Sequence, residues 1–261
     1  MFENILIIGH SNIGDACYDA AVVAPLHAHF PHARISFLTS SRTQNILQGY
    51  TGLSKIFLFD KHTKDKGFFG YVKLVQALRQ EKFDLAVVLK STLLHKFLGI
   101  PHVWSVREYL GCCPARIKKH IADIYLELLK AKGLPLEETR FNFNLSNEDK
   151  SFADDFLKKQ SLKPDDTLIG ILPVAAWSLK SWPIEKWNEL AKILKAQHGR
   201  KVIALGKSSN DPFGHKVLKN MSLEIISAID KTTLKQAMAL LTRCSLFIAP
   251  VGQTCPQSVH L

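Results

Sequence analysis

The feature that most constrains this chain is an alternation of strand and helix patterns that occurs twice. Short apolar runs predict strands at residues 4–8, 35–39, 56–59, 85–89 and 103–106. Apolar residues at helical spacing predict helices at residues 15–30, 69–78 and 117–129. Strands that alternate with helices build a parallel sheet with both faces covered. The first half of the chain therefore predicts an α/β fold.

The same alternation restarts after a polar interval over residues 133–164, which holds one predicted helix at 147–159. The second series predicts strands at residues 167–172, 201–205, 223–226 and 246–249, with helices at 184–197, 213–219 and 234–242. We therefore expect two Rossmann-like domains, residues 1–145 and 146–261. A ligand is expected in the cleft between them, at the carboxyl ends of the strands.

The loop after the first strand carries one candidate catalytic residue. It reads Gly9-His-Ser-Asn-Ile-Gly-Asp15, which is neither a GxGxxG fingerprint nor a phosphate-binding P-loop. We expect Gly14 to permit a tight turn and Asp15 to stand at the start of the following helix. An aspartate there is either a helix cap or first-turn residue, or a carboxylate that accepts a proton from a substrate hydroxyl. The pattern alone leaves both interpretations open.

A second loop, within the segment Trp177–Trp187, carries a candidate anion site. Lys180 falls between a predicted strand and a helix whose first turn can accommodate Pro183. Free backbone N–H groups and the positive end of the helix dipole favour an anion there, and a diphosphate is the natural ligand. The alternative is a surface lysine beside tryptophans that pack in the core. Gly206-Lys-Ser208 fails the P-loop spacing and is interpreted as a turn at a strand end.

Charge and cysteine content narrow the class of protein. The chain has 34 Lys and Arg against 23 Asp and Glu, a net charge of +11 that favours an anionic partner such as nucleic acid, anionic lipid or a phosphorylated substrate. No helix-turn-helix, RNP or zinc-finger pattern is present. No apolar run is long enough to span a bilayer, and no signal-peptide pattern precedes the first strand.

Five cysteines without a CxxC pair indicate a reducing, cytoplasmic location. Cys112, Cys113 and His120 are poorly spaced for zinc.

Several segments together resemble glycosyltransferase family 9, the ADP-heptose:lipopolysaccharide heptosyltransferases of GT-B fold. In chain order they read ILIIGHSNIGD at the start, HFPHARISFLT, Lys180-Ser-Trp-Pro183 with Trp187, VIALGKSSND and LLTRCSLFIAP. The pairing of an N-terminal Gly-Asp with a Lys-x-Trp-Pro element after a strand is the most specific part. The resemblance implies two Rossmann-like domains that face each other across a cleft.

The resemblance also implies a mechanism, an inverting transfer of heptose from a nucleotide-activated donor to the lipopolysaccharide inner core. Asp15 would be the general base, and Lys180 would neutralise charge on the leaving diphosphate.

The expected partners are the nucleotide-sugar donor, a phosphorylated core acceptor and the anionic inner face of the inner membrane; no nucleic acid, cofactor or metal is expected. Residues expected to bind the donor are Lys180, Trp182, Gly206, Asp211, Thr254 and His260; the expected acceptor-side loop residues are Ser11, Asn12 and Gly14.

The end of the chain departs from the family pattern. The family carries an acidic residue followed by Ser/Thr-Gly-Pro-x-His after this strand, whereas Val251 stands where the acid is expected and the sequence ends at Leu261. We expect a shortened second domain with an exposed sheet edge, at which Leu246, Phe247 and Ile248 face water. Two alternatives to a heptosyltransferase remain: a catalytically degenerate nucleotide-sugar-binding or scaffolding protein of the same fold, and a binder of anionic polymers with a Rossmann-like core.

Overall fold

The computed structural model describes residues 2–111, 119–135, 145–163, 166–174, 181–208 and 212–250. The chain divides into two compact units, Met1–Asn144 (unit 1) and Leu145–Leu261 (unit 2). The predicted domain boundary after residue 145 adjoins this division.

Unit 1 is built on a five-stranded sheet in which every pair of neighbouring strands is parallel. The strand order is β3-β2-β1-β4-β5. The strands β1 to β5 are Asn4–Ile8, Arg34–Thr39, Lys55–Leu58, Leu85–Val88 and His102–Ser105. All five lie within one residue of the predicted strands, because continuous apolar runs bounded by polar residues are typical of strands buried on both faces.

Both faces of this sheet are covered, as the side chains of β1 show. Ile5 and Ile7 pack into one buried apolar cluster, which also contains residues of Ile121–Ala131. Leu6 and Ile8 pack into another cluster on the opposite face, with residues of Phe68–Gln80. This alternation follows from the two-residue period of a strand, and the two clusters form the core of unit 1.

The helices of unit 1 connect these strands. Helices α1 to α6 are Ile13–Asp19, Val23–His29, Ser41–Leu47, Phe68–Gln80, Val106–Leu110 and Ile121–Ala131. The single helix predicted at residues 15–30 is wrong, since a 3₁₀ turn at Ala20–Val22 separates α1 from α2. Pro25 explains the break, because it has no N–H to donate to the previous turn and is tolerated only in the first turn of a new helix. Helices α3 and α5 were not predicted.

Unit 2 repeats the same topology with four parallel strands in the order β8-β7-β6-β9. The strands β6 to β9 are Leu168–Ile171, Lys201–Ala204, Ile225–Ser227 and Leu246–Ile248. The third of these begins two residues later than predicted, because the backbone N–H of Ile225 donates to the carbonyl of Ser222 at 3.0 Å and closes a turn there.

Strand β9 lies at one edge of the four-stranded sheet. The expected exposure is found at Leu246, which is 50% exposed. Phe247 and Ile248 are half-buried, so the expectation that all three face water is wrong. The ring of Phe247 lies over Gly170 of β6, where a Cβ would stand 2.7 Å from its Cδ2 atom.

The helices of unit 2 begin with recognisable capping residues. Helices α7 to α10 are Asn147–Lys159, Ile184–His198, Pro212–Asn220 and Leu234–Leu241. Ser146 and Thr233 each form a capping box with the third residue of the following helix. Pro183 is the N-cap of α8, one position before the first turn in which it was expected. The described part of the chain contains no helix with both the length and the apolar character needed to cross a bilayer.

Candidate functional site

In each sheet the order in which the chain adds strands reverses at one point, and such a point favours ligand binding. In unit 1 the chain builds β1, β2 and β3 outward on one side and then returns to place β4 on the other side of β1. The loops after β1 and β4 therefore diverge and leave a crevice at the carboxyl ends of these strands. The β6/β9 pair of unit 2 is the equivalent point. The predicted catalytic loop lies at the first of these positions.

The loop after β1 is held in place by the end of β2. The backbone N–H of Gly9 donates to the carbonyl of Leu38 at 3.1 Å. The hydroxyl of Thr39 donates to the carbonyl of His10 at 2.7 Å, and the hydroxyl of Ser40 donates to that of Ser11 at 2.8 Å. Three successive loop residues are thus anchored, which positions the start of α1.

Asp15 lies in the first turn of α1 and is half-buried. Asn12 is the N-cap of this helix but forms no side-chain cap hydrogen bond; its Nδ2 instead donates to Oδ2 of Asp15 at 3.2 Å. Gly14 is buried inside the same first turn, not in the loop where a tight turn was expected. Asp15 is therefore a first-turn residue and not the cap, and its carboxylate is accessible at the crevice.

A buried hydrogen-bonded group that was not predicted lies one helical turn further along α1. Asp19 is fully buried, and its Oδ2 accepts the backbone N–H of His10 at 2.5 Å while its Oδ1 is 3.0 Å from Nδ1 of the same residue. The buried Tyr125 of α6 also hydrogen-bonds to Asp19. Because Asp15 and Asp19 are four residues apart on one helix, both carboxylates face the same side as His10.

This arrangement favours the charged form of His10. Burial lowers the pKa of His10, but the hydrogen bond and charge of Asp19, with the charge of Asp15, outweigh burial and raise the pKa above its ordinary value. Burial, followed by the charge and hydrogen bond of Asp19, raises the pKa of Tyr125. Burial lowers the pKa of Lys90, which follows β4, although the charge of Asp19 opposes this. The crevice thus combines one accessible carboxylate, an imidazole held by a buried carboxylate, and a half-buried amine.

The sequence offered one signal for the group that was missed. Asp19 follows Asp15 at the spacing of one helical turn, inside a segment that is otherwise apolar on that face. A charged residue on an apolar face needs a partner. The partner, His10, could not be assigned because its contact depends on how the loop folds back over α1.

In unit 2 the structure describes two of the predicted donor-binding residues. Trp182 is 44% exposed, and its ring meets that of Trp187 edge to face at 5.2 Å between centroids. Trp187 is buried in the core of unit 2, and its Nε1 has no hydrogen-bond partner within the described residues. Trp182 thus stands next to the N-terminus of α8, at the surface.

Gly206 lies at the carboxyl end of β7 with φ +125, a conformation that side chains rarely adopt. Its carbonyl accepts the backbone N–H of Asp230 at 3.1 Å. The carboxylate of Asp230 in turn accepts the backbone N–H of Ser208 at 3.0 Å and the hydroxyl of the same residue. The segment Gly206–Ser208 is a turn at the strand end, as interpreted from the sequence. Four predicted donor-binding residues lie outside the described residues: Lys180, Asp211, Thr254 and His260.

No group of three or more His, Cys, Asp or Glu side chains arranged to hold a metal ion occurs among the residues that the structure describes. Cys112 and Cys113 lie outside them. His120 is the N-cap of α6, where its Nδ1 accepts the backbone N–H of Ala122 at 3.3 Å.

Comparisons with known proteins agree with this architecture. The chain is 22% identical to lipopolysaccharide core heptosyltransferase OpsX of Haemophilus influenzae over 95% of the chain and 73% of that protein. It is 25% identical to lipopolysaccharide heptosyltransferase 2 of Escherichia coli over 94% of the chain and 76% of that protein.

Solved structures show the same fold. A family 9 glycosyl transferase from Veillonella parvula superposes with a TM-score of 0.81 at 20% identity, covering 95% of this chain and 75% of that one. The ADP-heptose lipopolysaccharide heptosyltransferase II of E. coli superposes with a TM-score of 0.69 at 24% identity, covering 95% and 79%. The expected GT-B-type fold is confirmed by these superpositions.

The model of glycosyltransferase family 9 (heptosyltransferase) matches residues 71–250, more than half of the chain and parts of both units. The family expected from the N-terminal Gly-Asp and the Lys-x-Trp-Pro element is therefore confirmed, and the chain belongs to glycosyltransferase family 9.

Proposed function

We propose that this protein is an inverting glycosyltransferase that moves a heptose from ADP-heptose to the inner core of lipopolysaccharide. The observation that carries the proposal is the accessible carboxylate of Asp15 at the crevice of unit 1, in a chain of family 9. The relatives from H. influenzae and E. coli named above are lipopolysaccharide heptosyltransferases by their own names.

In the proposed reaction the carboxylate of Asp15 takes the proton of an acceptor hydroxyl. The resulting oxygen attacks the anomeric carbon of the heptose from the face opposite the nucleotide. The bond from that carbon to the diphosphate oxygen breaks, ADP leaves with the electron pair, and the configuration at the carbon inverts. Asn12, which donates to Asp15 at 3.2 Å, would orient the base.

Unit 1 would hold the acceptor and unit 2 the donor. Ser11 and Gly14 would shape the acceptor side of the loop, and the positive charge of the chain would favour a phosphorylated acceptor. On the donor side we propose Lys180, the backbone N–H groups before α8 and the predicted residues Trp182, Gly206, Asp211, Thr254 and His260. A lysine and amide dipoles can neutralise a leaving diphosphate, so we propose transfer without a metal ion. We also propose a cytoplasmic protein that touches the inner face of the inner membrane.

Substitution of Asp15 tests the proposed base. Asp15→Asn should abolish transfer of heptose while ADP affinity, measured by calorimetry, stays near that of the wild type, because the base touches the acceptor and not the nucleotide. Asp123→Asn is the matched control, since Asp123 occupies the first turn of α6 in the same unit. Each of the two substitutions should cost up to about 1 kcal/mol of stability through the helix dipole. Transfer at near wild-type rate by Asp15→Asn would remove Asp15 from the mechanism.

Substitution of Lys180 tests the donor site separately. Lys180→Ala should weaken ADP binding and slow transfer together, because the lysine would meet the diphosphate before and during bond breaking. Lys158→Ala, which changes an exposed lysine in the last turn of α7, is the control. Unchanged ADP affinity in Lys180→Ala would leave that lysine without a role at the donor.

A second candidate function is a nucleotide-sugar-binding or scaffolding protein without turnover. It is favoured by Val251, which stands where the family has an acidic residue. The two functions differ in one measurement: the second predicts ADP-heptose binding by calorimetry with no heptose transferred to a core acceptor by the unaltered protein.

A further inference from the structure

An apolar groove on unit 1 is lined by residues that the proposed reaction does not use. A cavity of about 680 Å³ opens between helix α4 and the 3₁₀ turn Leu94–Phe97 that follows β4. We call it the α4 groove; its apolar lining is Phe68, Tyr71, Val75, Leu93, Leu94 and Phe97. A cavity of this size is in the range that accommodates a ligand or an acyl segment.

The rim of the α4 groove exposes large apolar side chains to water. Phe68 and Phe69, the first two residues of α4, are 77% and 85% exposed, and their rings meet edge to face at 6.1 Å. Phe97 is 59% exposed on the opposite wall. Single exposed apolar residues are ordinary, whereas a contiguous group of aromatic residues beside a cavity indicates an interaction surface.

The walls of the groove are held together by the protein itself. The Nε of Arg79, in the last turn of α4, donates to the carbonyl of Phe97 at 2.8 Å and bridges the two walls. Tyr71 packs edge to face on Phe59, which follows β3, at 4.8 Å between centroids. The groove therefore does not need a partner in order to form.

The surface around the groove is positively charged. Lys61, Lys64 and Lys66 lie in the loop before α4, Lys73 lies on α4, and Lys96 lies in the 3₁₀ turn. None of these lysines forms an ion pair within the described residues. The loop before α4 holds two carboxylates, and both accept local backbone hydrogen bonds: Asp65 from the N–H of Asp60 at 2.9 Å, and Asp60 from the N–H of Ser41 at 3.0 Å. Lysine side chains that stay unpaired around an apolar surface are complementary to an anionic partner.

We propose that the α4 groove docks this protein on an anionic lipid bilayer, with Phe68 and Phe69 inserted among the acyl chains. Apolar and aromatic side chains at a helix start, surrounded by lysines, are the combination that binds to the interface of anionic membranes. A second copy of the chain is the less suitable occupant, because a symmetric dimer through this surface would bring the two lysine rims together. The inference identifies the surface for the membrane contact given under the proposed function and rests on it.

The position of the groove relates it to the transfer reaction. Helix α4 begins after the carboxyl end of β3, and the turn Leu94–Phe97 follows the carboxyl end of β4. The α4 groove is therefore at the same edge of the sheet as Asp15. A bilayer docked there presents a lipid-anchored acceptor at the edge where the proposed base lies.

Vesicle binding tests the proposal without donor or acceptor, so its outcome is independent of whether transfer occurs. The protein is sedimented with vesicles of phosphatidylcholine alone or of equal parts phosphatidylcholine and phosphatidylglycerol. We expect binding to the anionic vesicles only, decreasing with salt. The double variant Phe68→Ser, Phe69→Ser should weaken this binding at least about tenfold, because it lacks the two aromatic rings that would move from water into the bilayer. Leu223→Ser, which changes a fully exposed leucine of unit 2, is the control and should bind as the wild type does.

Charge reversal supplies a second, independent variant. Lys64→Glu with Lys66→Glu should also weaken binding at least about tenfold, since each lysine near an anionic surface contributes roughly a fivefold factor. Lys130→Glu with Lys132→Glu makes the same change of net charge at the end of α6, which packs on the opposite face of the sheet, and should have a much smaller effect.

Three results of the vesicle assay would overturn the proposal: wild-type affinity in the double phenylalanine variant, an equal loss in both charge-reversed proteins, or no binding of the unaltered protein to anionic vesicles. A dimer of the unaltered protein that dissociates in the phenylalanine variant would instead assign the groove to a second copy and would likewise overturn it. Thermal melting of each variant should match the wild type, because the altered side chains are exposed.

Discussion

The buried Asp19 offers a sharp test of how the crevice of unit 1 is held together. In Asp19→Asn the amide keeps the shape of the carboxylate but loses its charge and replaces one acceptor with an N–H₂ donor. The carboxylate accepts from the backbone N–H of His10 at 2.5 Å, and its other oxygen is 3.0 Å from the imidazole Nδ1. A hydrogen bond to a charged group contributes about 1.5–3 kcal/mol, and the amide can replace only one of them with a neutral bond. We therefore expect unit 1 to lose about 2–4 kcal/mol of unfolding free energy near pH 6.

The loss should depend on pH in a direction that follows from His10. Its pKa in the folded protein lies above the value of about 6.5 for an unfolded histidine. The stability that comes from this shift is fully present below about pH 6.5 and is lost as pH rises through the folded pKa. The difference between wild type and Asp19→Asn should therefore be largest at pH 6 and smaller at pH 9.

Hydrogen–deuterium exchange of peptides that cover β1 measures the opening of unit 1 alone. Asp154→Asn is the control, because it removes the charge of an exposed aspartate paired with Arg243 in unit 2 and should cost under about 1 kcal/mol. The reasoning would be refuted by an equal loss at both pH values. It would also be refuted by a His10 pKa at or below 6.5 in a proton NMR titration of the wild type against His10→Gln.

Two further changes test the packing of each unit. Gly9→Ala should destabilise unit 1 by about 1–3 kcal/mol, because its Cβ would stand 2.4 Å from Cε1 of Phe37 and 2.7 Å from Oδ2 of Asp19; an unchanged melting temperature would contradict this close approach. Cys244 should react with a thiol reagent far more slowly than a small free thiol at pH 7.5, because burial raises its pKa to about 12. Comparison with the Cys244→Ser variant identifies the part of the labelling that comes from Cys244. Rapid labelling of Cys244 in the native protein would contradict the prediction.

Much of the fold could be predicted from local sequence patterns. A strand buried on both faces needs a continuous apolar run, as in Asn4–Ile8, and a covering helix needs apolar residues every three or four positions, as in Ile184–His198. These requirements act within a few residues, so the order and type of the main elements follow from the sequence. The short helices Ser41–Leu47 and Val106–Leu110 escaped prediction because so few turns hold too little periodic signal.

The candidate site likewise has parts that the sequence predicts and contacts that depend on the tertiary structure. The sequence by itself determined the location of the loop Gly9–Asp15 at a strand end and the presence of an acid at the start of a helix. Only the tertiary structure decided that Asp19 is buried against His10 and Tyr125, residues 9 positions before it and on another helix. It also decided that α4 and the turn after β4 enclose one groove. Local patterns specify which face of an element is apolar, whereas pairing between distant segments depends on strand order, which brings loops together only once the sheet has formed.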